Sequence, residues 1–405
     1  MRTWRQRAAV AVSCATVLAA GGVTTAQAAP PHASSASNTV PQVPEWLDQN
    51  KGCTHPSKRT VAKTPWAQQA LGLRRAQELS LGDGVTVGVV GTGVDGGVPS
   101  LAGRVSGDGK DDCVGHGTFA AGLVAAAPEE GVGFVGVAPH ARILGVRATT
   151  EKGMTDADSI AAAITTAVDG GCDVVLVSVP YGRSSKRLAS AVEHAAKNDV
   201  VLVAPAAGGE QSSAPAYPGA LPGVVGVGSV GADGAPYPTG RKPTPSPPDL
   251  VAPGDRLISV GPGGGHFTAS GDSVAAAYVA GTAALVRAYD PSLHASDVVE
   301  RLQGTAVRPS GSVPGPLSGY GMIDPVAAVS GVSVGSEQAR GTTVRPYRAP
   351  EPEPTVSALP AWGVAGGAAV VIALAAAMVV VVPRGRARGW RPGAPMREPD
   401  AAKHG

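Results

Sequence analysis

A chain of 405 residues that is 43% hydrophobic and 16% charged is too long and too apolar to be a disordered tail or a mini-protein, and it can bury a core. Glycine (56) and proline (36) together exceed a fifth of the residues without the G-X-Y period of a collagen, so they punctuate turns and at least one linker. A formal charge of +2, no basic face in mid-chain and only 4% aromatic residues give neither the electrostatic footprint nor the stacking platform of a nucleic-acid binder.

Residues 1–28 carry Arg2, Arg5 and Arg7, then an apolar run from Ala8, then Ala26-Gln27-Ala28. That order is the plan of a secretory signal, and Cys14 leaves with it. Small and polar residues thin the run too much for a first membrane helix. Residues 29–80 form an N-terminal extension, and residues 81–335 read as the main domain. Strand-length apolar runs recur there at 85–90, 143–146, 174–179, 200–203 and 224–230. Between them, 159–168 and 187–197 show i, i+3, i+4 spacing and end near Gly or Asn, which gives the order β, α, β, α. Asp173-Val174-Val175-Leu176-Val177-Ser178-Val179 is apolar on successive residues, as a strand covered by helices on both faces requires. The expected fold is therefore α/β, a doubly wound, mainly parallel sheet.

Residues 336–360 form a proline-rich linker, with five prolines from Val344 to Pro360. Residues 361–382 are uncharged, rich in Val and Ala, and long enough to cross a bilayer as one helix. Arg384, Arg386, Arg388 and Arg391 follow at once, which holds the tail 383–405 on the cytoplasmic side and the main domain outside. An oxidising exterior favours one disulfide among Cys53, Cys113 and Cys172. Cys172 enters an apolar strand, where a free thiol acts as a small hydrophobe, so the expected pair is Cys53 with Cys113.

Ligands of such a sheet bind beyond the carboxyl ends of the strands. Gly91-Thr92-Gly93-Val94-Asp95-Gly96 matches the dinucleotide G-x-G-x-x-G, but Gly96-Gly97-Val98-Pro99-Ser100 is a poor helix start, so a plain turn is the better reading. Gly331-Val332-Ser333-Val334-Gly335 matches a nucleophile elbow without the strand and helix that motif needs. More informative are Gly115-His116-Gly117-Thr118, opening the apolar pattern 119–127, and Gly271-Asp272-Ser273-Val274-Ala275-Ala276. A helix-start serine is commonly a cap. It is also a nucleophile when a general base reaches it.

These two motifs, in that order, resemble the subtilisin-like serine proteases, and among them the mycosins, the membrane-anchored proteases of actinobacterial type VII secretion. Thr64-Pro65-Trp66-Ala67-Gln68-Gln69, Asp111-Asp112-Cys113-Val114, Tyr217-Pro218, Val251-Ala252-Pro253-Gly254 and residues 278–286 support the resemblance, as does the plan of signal, stalk, span and basic tail. It implies a subtilisin-like fold, Ser273 as nucleophile, His116 as base, a peptide or protein substrate, secretion-machine components in the membrane as partners, and no cofactor or metal.

The pattern departs from the family at the site itself. The family's aspartate at the end of the first strand is Gly91 here, and Asp95, four residues on, lies on the turn and is not a substitute. The oxyanion asparagine after Ala206-Ala207-Gly208 is Gly209. The usual Gly-Thr-Ser is Gly271-Asp272-Ser273, which puts a carboxylate beside the developing oxyanion. The usual proline four residues after the serine is Ala277, and Pro180 removes a main-chain donor from the substrate-pairing edge. In a well-characterised subtilase, loss of the acid cost about 10⁴-fold or more in turnover, and loss of the asparagine about 10² to 10³. The favoured expectation is a mycosin-like pseudoprotease or scaffold on the outer face of the membrane. The alternative is an active serine endopeptidase, for which Asp111, Asp112 or a water would have to face the His116 ring.

Overall fold

The computed structural model describes residues 40–107, 111–208 and 215–331, with a few isolated positions between 378 and 389. The signal sequence, the linker and, apart from those isolated positions, the segment 361–382 and the tail lie outside the described residues. Among the described residues no helix is long and apolar enough to cross a membrane.

In chain order the elements are α1 (Trp66–Ala70), α2 (Leu73–Leu79), β1 (Thr86–Gly91), β2 (Val105–Ser106), α3 (His116–Ala125), β3 (Arg142–Arg147), α4 (Ala157–Asp169), β4 (Val174–Val177), α5 (Lys186–Lys197), β5 (Val201–Pro205), β6 (Val224–Val230), β7 (Leu250–Pro253), β8 (Leu257–Val260), β9 (His266–Ala269), α6 (Asp272–Tyr289), α7 (Ala295–Thr305) and α8 (Pro325–Ser330). Strands β1 to β7 form one parallel sheet in the order β2-β3-β1-β4-β5-β6-β7, and β8 pairs with β9 as an antiparallel hairpin.

The consecutive apolar residues have a direct structural cause. Val174 and Leu176 of β4 enter the core shared with α3 and α6, whereas Val175 and Val177 enter the core shared with α4 and α5. In β5, Val201 and Val203 alternate with Leu202 and Ala204 in the same way. Every residue of such a strand is buried, so none can be polar without a partner. The helices of the second face start on side-chain caps: Asp156 accepts from the Asp158 and Ser159 amides, and Ser185 from the Leu188 amide. Helix α6 is buried from Asp272 to Arg287, which explains its run of small residues.

Residues 41–64 have almost no regular structure of their own and lie along the hairpin. Thr268 donates to the Pro41 carbonyl at 2.8 Å and accepts from the Val43 amide at 2.9 Å, while the His266 amide donates to Arg59 at 2.8 Å. Cys53 and Cys113 are bonded at 2.13 Å, and Cys172 is a buried free thiol whose pKa burial pushes up to about 12, with the Asp173 charge as a second cause.

Helix α3 lies so close to β8 that Gly122 has no room for a side chain. A Cβ there would fall 2.4 Å from Ser259 Oγ and 2.6 Å from a Val260 methyl. Gly122→Ala is expected to cost about 1–3 kcal/mol by overpacking. Unchanged denaturant stability would contradict that contact.

Candidate active site

The segments that follow β4 and β5 and the N-termini of α3 and α6 meet at a cleft of about 730 Å³. This is where a doubly wound sheet places its ligands. His116 opens α3, Ser273 is the second residue of α6, and both are buried, at 3% and 7% exposed. Their side chains meet, His116 Nε2 to Ser273 Oγ, at 3.1 Å across 157 residues of sequence. That is the spacing of a base and its nucleophile.

The other face of the ring is different. His116 Nδ1 is buried and has no hydrogen-bond partner among the described residues. Asp112 is engaged elsewhere: its Oδ1 accepts from the Gly115 amide at 2.7 Å, and its Oδ2 from the Thr118 amide at 2.8 Å and the Thr118 hydroxyl at 2.7 Å. It therefore ties down the start of α3 and acts on His116 through charge alone. Asp111 is exposed, and its main-chain carbonyl accepts from Arg147. Asp95 Oδ1 accepts from Gly97 at 2.9 Å and Oδ2 from Gly263 at 2.7 Å, so it closes a turn and stands in for nothing.

The space beside Gly91, where the family pattern has its acid, is also filled. A Cβ on Gly91 would fall 2.3 Å from Ser178 Oγ, a hydroxyl that donates to the Val90 carbonyl at 3.2 Å. For Nε2 to take the Ser273 proton, Nδ1 must carry one of its own, and in a triad the acid accepts that N–H and stabilises the imidazolium. Here the N–H would be buried without an acceptor, at a cost of about 1–3 kcal/mol. Burial holds the His116 pKa below its usual value, and the Asp112 charge offsets part of that shift. The ring is thus neutral near pH 7, with little to stabilise it once protonated.

His266 is a second buried histidine whose pKa burial lowers, against a smaller upward pull from Glu129. Its Nδ1 accepts from the Val61 amide at 2.7 Å, which requires the neutral ring. Because the folded pKa lies below the unfolded one, this histidine's stabilisation is complete above about pH 6.5 and is lost as pH falls toward the folded value. His266→Asn keeps an acceptor and removes the titration. The parent is expected to lose up to about 1.4 kcal/mol more per pH unit than this variant between pH 6.5 and 5. Equal acid sensitivity in thermal melts would contradict the assignment.

Asp272 corrects the expectation of an uncompensated carboxylate at the nucleophile. It is turned into the protein and pairs with Arg241, at 2.6 Å to Nη1 and 2.5 Å to Nη2. Nothing in the local sequence marks Arg241; only the rule that a buried carboxylate needs a cation could have prompted a search for it. Gly208 lines the cleft, and Gly209 lies outside the described residues. Pro180 and Tyr181 also line the cleft.

Sequence reading also left open where the N-terminal extension runs. Gln42, Val43, Pro44 and Trp46 line the cleft, between the Thr268 pairing and a Leu47 amide bond to the Lys152 carbonyl at 2.9 Å. Of the two decoy motifs, the Gly91–Gly96 stretch leads into a turn rather than an α-helix, and Gly331 closes α8 with the rest of its motif outside the described residues.

The subtilase family profile matches residues 82–322, well over half of the chain. The chain belongs to the subtilase family. Within it, the similarity is to mycosins. Mycosin-1 of Mycolicibacterium smegmatis is 31% identical over 377 residues, covering 76% of this chain and 82% of that protein. A crystal structure of MycP1 from Mycobacterium smegmatis has a TM-score of 0.61 at 30% identity, covering 72% of this chain and 92% of that one. A structure of the periplasmic assembly from the ESX-5 inner membrane complex contains a chain with a TM-score of 0.61 at 27% identity, covering 75% of this chain and 91% of that one.

Proposed function

We propose that this protein is a mycosin-like component of a type VII secretion machine whose protease site is impaired, so that it binds or scaffolds rather than cuts. The observation that carries this reading is the unpartnered, buried Nδ1 of His116, in a chain whose first strand ends in Gly91. Without an acid, the Ser273–His116 pair lacks roughly 10⁴-fold of the turnover of a full triad. The type VII context rests on the similarity to mycosins and to a chain of an ESX-5 membrane assembly.

The architecture that goes with this function is a signal over 1–28, an extension over 29–80, a subtilisin-like domain over 81–335, a linker over 336–360, a membrane helix over 361–382 and a basic cytoplasmic tail over 383–405. Hydropathy and the arginine cluster support the anchor and its orientation. The domain then works on the outer face of the membrane, with secretion-machine proteins as its neighbours. Slow endopeptidase activity is the second reading, favoured by the 3.1 Å contact of His116 and Ser273.

The test is secretion in the cell that makes the protein. Ser273→Ala at the native locus is expected to secrete as the parent does, while deletion of the gene abolishes secretion. A Ser273→Ala strain as defective as the deletion would overturn the scaffold reading.

A further inference from the structure

Asp272 has no counterpart in the Gly-Thr-Ser that subtilases carry before the nucleophile, and it is deeply built in, at 6% exposed. Both of its oxygens are used. Oδ1 accepts from Ser229 Oγ at 2.6 Å and Arg241 Nη1 at 2.6 Å; Oδ2 accepts from the Ala207 amide at 3.1 Å and Arg241 Nη2 at 2.5 Å. Arg241 Nη1 also donates to the Tyr237 carbonyl at 3.0 Å. Four separate pieces of chain therefore meet on one carboxylate: the loop after β5, strand β6, the loop that leads to β7, and the start of α6. The forked guanidinium matches the carboxylate and cancels its charge, which lysine could do only as a point charge.

The two groups that this carboxylate ties together adjoin the site on both sides. Ala207 precedes Gly208 of the cleft wall, which in the family pattern comes just before the oxyanion position, and Asp272 precedes Ser273. We propose that Arg241 is a positioning residue of the site: through Asp272 it fixes the Ala207–Gly208 backbone against the nucleophile, so that a buried ion pair sets the distance between that part of the cleft wall and Ser273. This rests on Ser273 occupying the nucleophile position and holds whether the site cuts or only binds.

The test compares the full chain with Arg241→Lys, Arg241→Met and Arg241→Met/Asp272→Thr. One readout is hydrogen exchange at the Ala207 amide. The other is the rate at which a fluorophosphonate labels Ser273, with every variant also built on Gly91→Asp/Ser178→Ala. Arg241→Met is expected to speed Ala207 exchange at least tenfold and, on the Gly91→Asp/Ser178→Ala background, to slow labelling at least tenfold, while exchange in α4 stays unchanged. Arg241→Lys falls between, and Arg241→Met/Asp272→Thr keeps the fast Ala207 exchange and the slow labelling, because the carboxylate that holds the Ala207 amide is gone.

Ala207 exchange within twofold of the parent in a folded Arg241→Met, or labelling within twofold on the Gly91→Asp/Ser178→Ala background, would overturn the proposal, as would labelling regained with Asp272→Thr while Ala207 exchange stays fast, which would assign the effect to uncovered charge. If Arg241→Met does not fold, the same comparison is made with Arg241→Lys and Arg241→Lys/Asp272→Thr. If no background labels, the reading of Gly91 as the defect fails, and Ala207 exchange alone decides for or against the latch.

Discussion

Gly91→Asp combined with Ser178→Ala is expected to raise peptide hydrolysis by the full chain about 10³-fold or more over the parent. The size follows from the roughly 10⁴-fold worth of the acid in a serine-protease triad, reduced by the imperfect placement of a newly introduced side chain. Strand β1 ends at Gly91, where the family pattern has its carboxylate, and His116 Nδ1 is buried without a partner among the described residues. The obstacle is local. The new Cβ would meet Ser178 Oγ at 2.3 Å but Ser178 Cβ only at 3.7 Å, which is ordinary contact. Removing the hydroxyl clears the space without opening a large cavity, and the Val90 carbonyl keeps its bond from the Ser178 amide at 2.9 Å. Gly91→Asp alone should gain less, because the serine must first rotate away. A fluorogenic peptide assay decides; a folded double variant no faster than the parent would mean that the acid is not the chief defect.

Replacing Cys53 and Cys113 together by alanine is expected to lower stability by about 4 kcal/mol, from the loop-closure entropy of the separation of 60 residues. In a domain of this size that lowers Tm by roughly 10 °C. The disulfide pins the extension beside the loop that leads into His116, helped by two bonds from Thr54: its amide to Cys113 at 2.8 Å and its hydroxyl to Val114 at 2.7 Å. Loosening is therefore expected first in residues 53–61 and 111–115, visible as faster hydrogen exchange there. A Tm within 2 °C of the parent would show that the hydrogen bonds to the hairpin hold the extension unaided.

The parallel sheet was legible because its strands are buried on both faces. Val174 to Val177 feed two cores in alternation, and no other strand environment writes four valines and leucines in succession. The strands that sequence reading left out are short or lie among turn residues. Val105–Ser106 has two residues, and Leu250–Pro253 and Leu257–Val260 have four each, flanked by Pro and Gly that read as loop. His116 and Ser273 were legible as motifs because each sits at a helix start with small neighbours. Arg241 was not, since its partner lies 31 residues away and the pairing exists only in three dimensions. The same is true of Ser178, whose hydroxyl fills the space that Gly91 leaves. The sequence shows a glycine where the family pattern has an acid; only packing shows that the Ser178 side chain occupies the space beside it.

The most direct test of an impaired nucleophile is fluorophosphonate labelling of the full chain, with Ser273→Ala as the blank. Labelling at or near the level of Ser273→Ala is the expected result. Rapid labelling that disappears in Ser273→Ala would show Ser273 to be activated without an acid, and would make the protein a working protease.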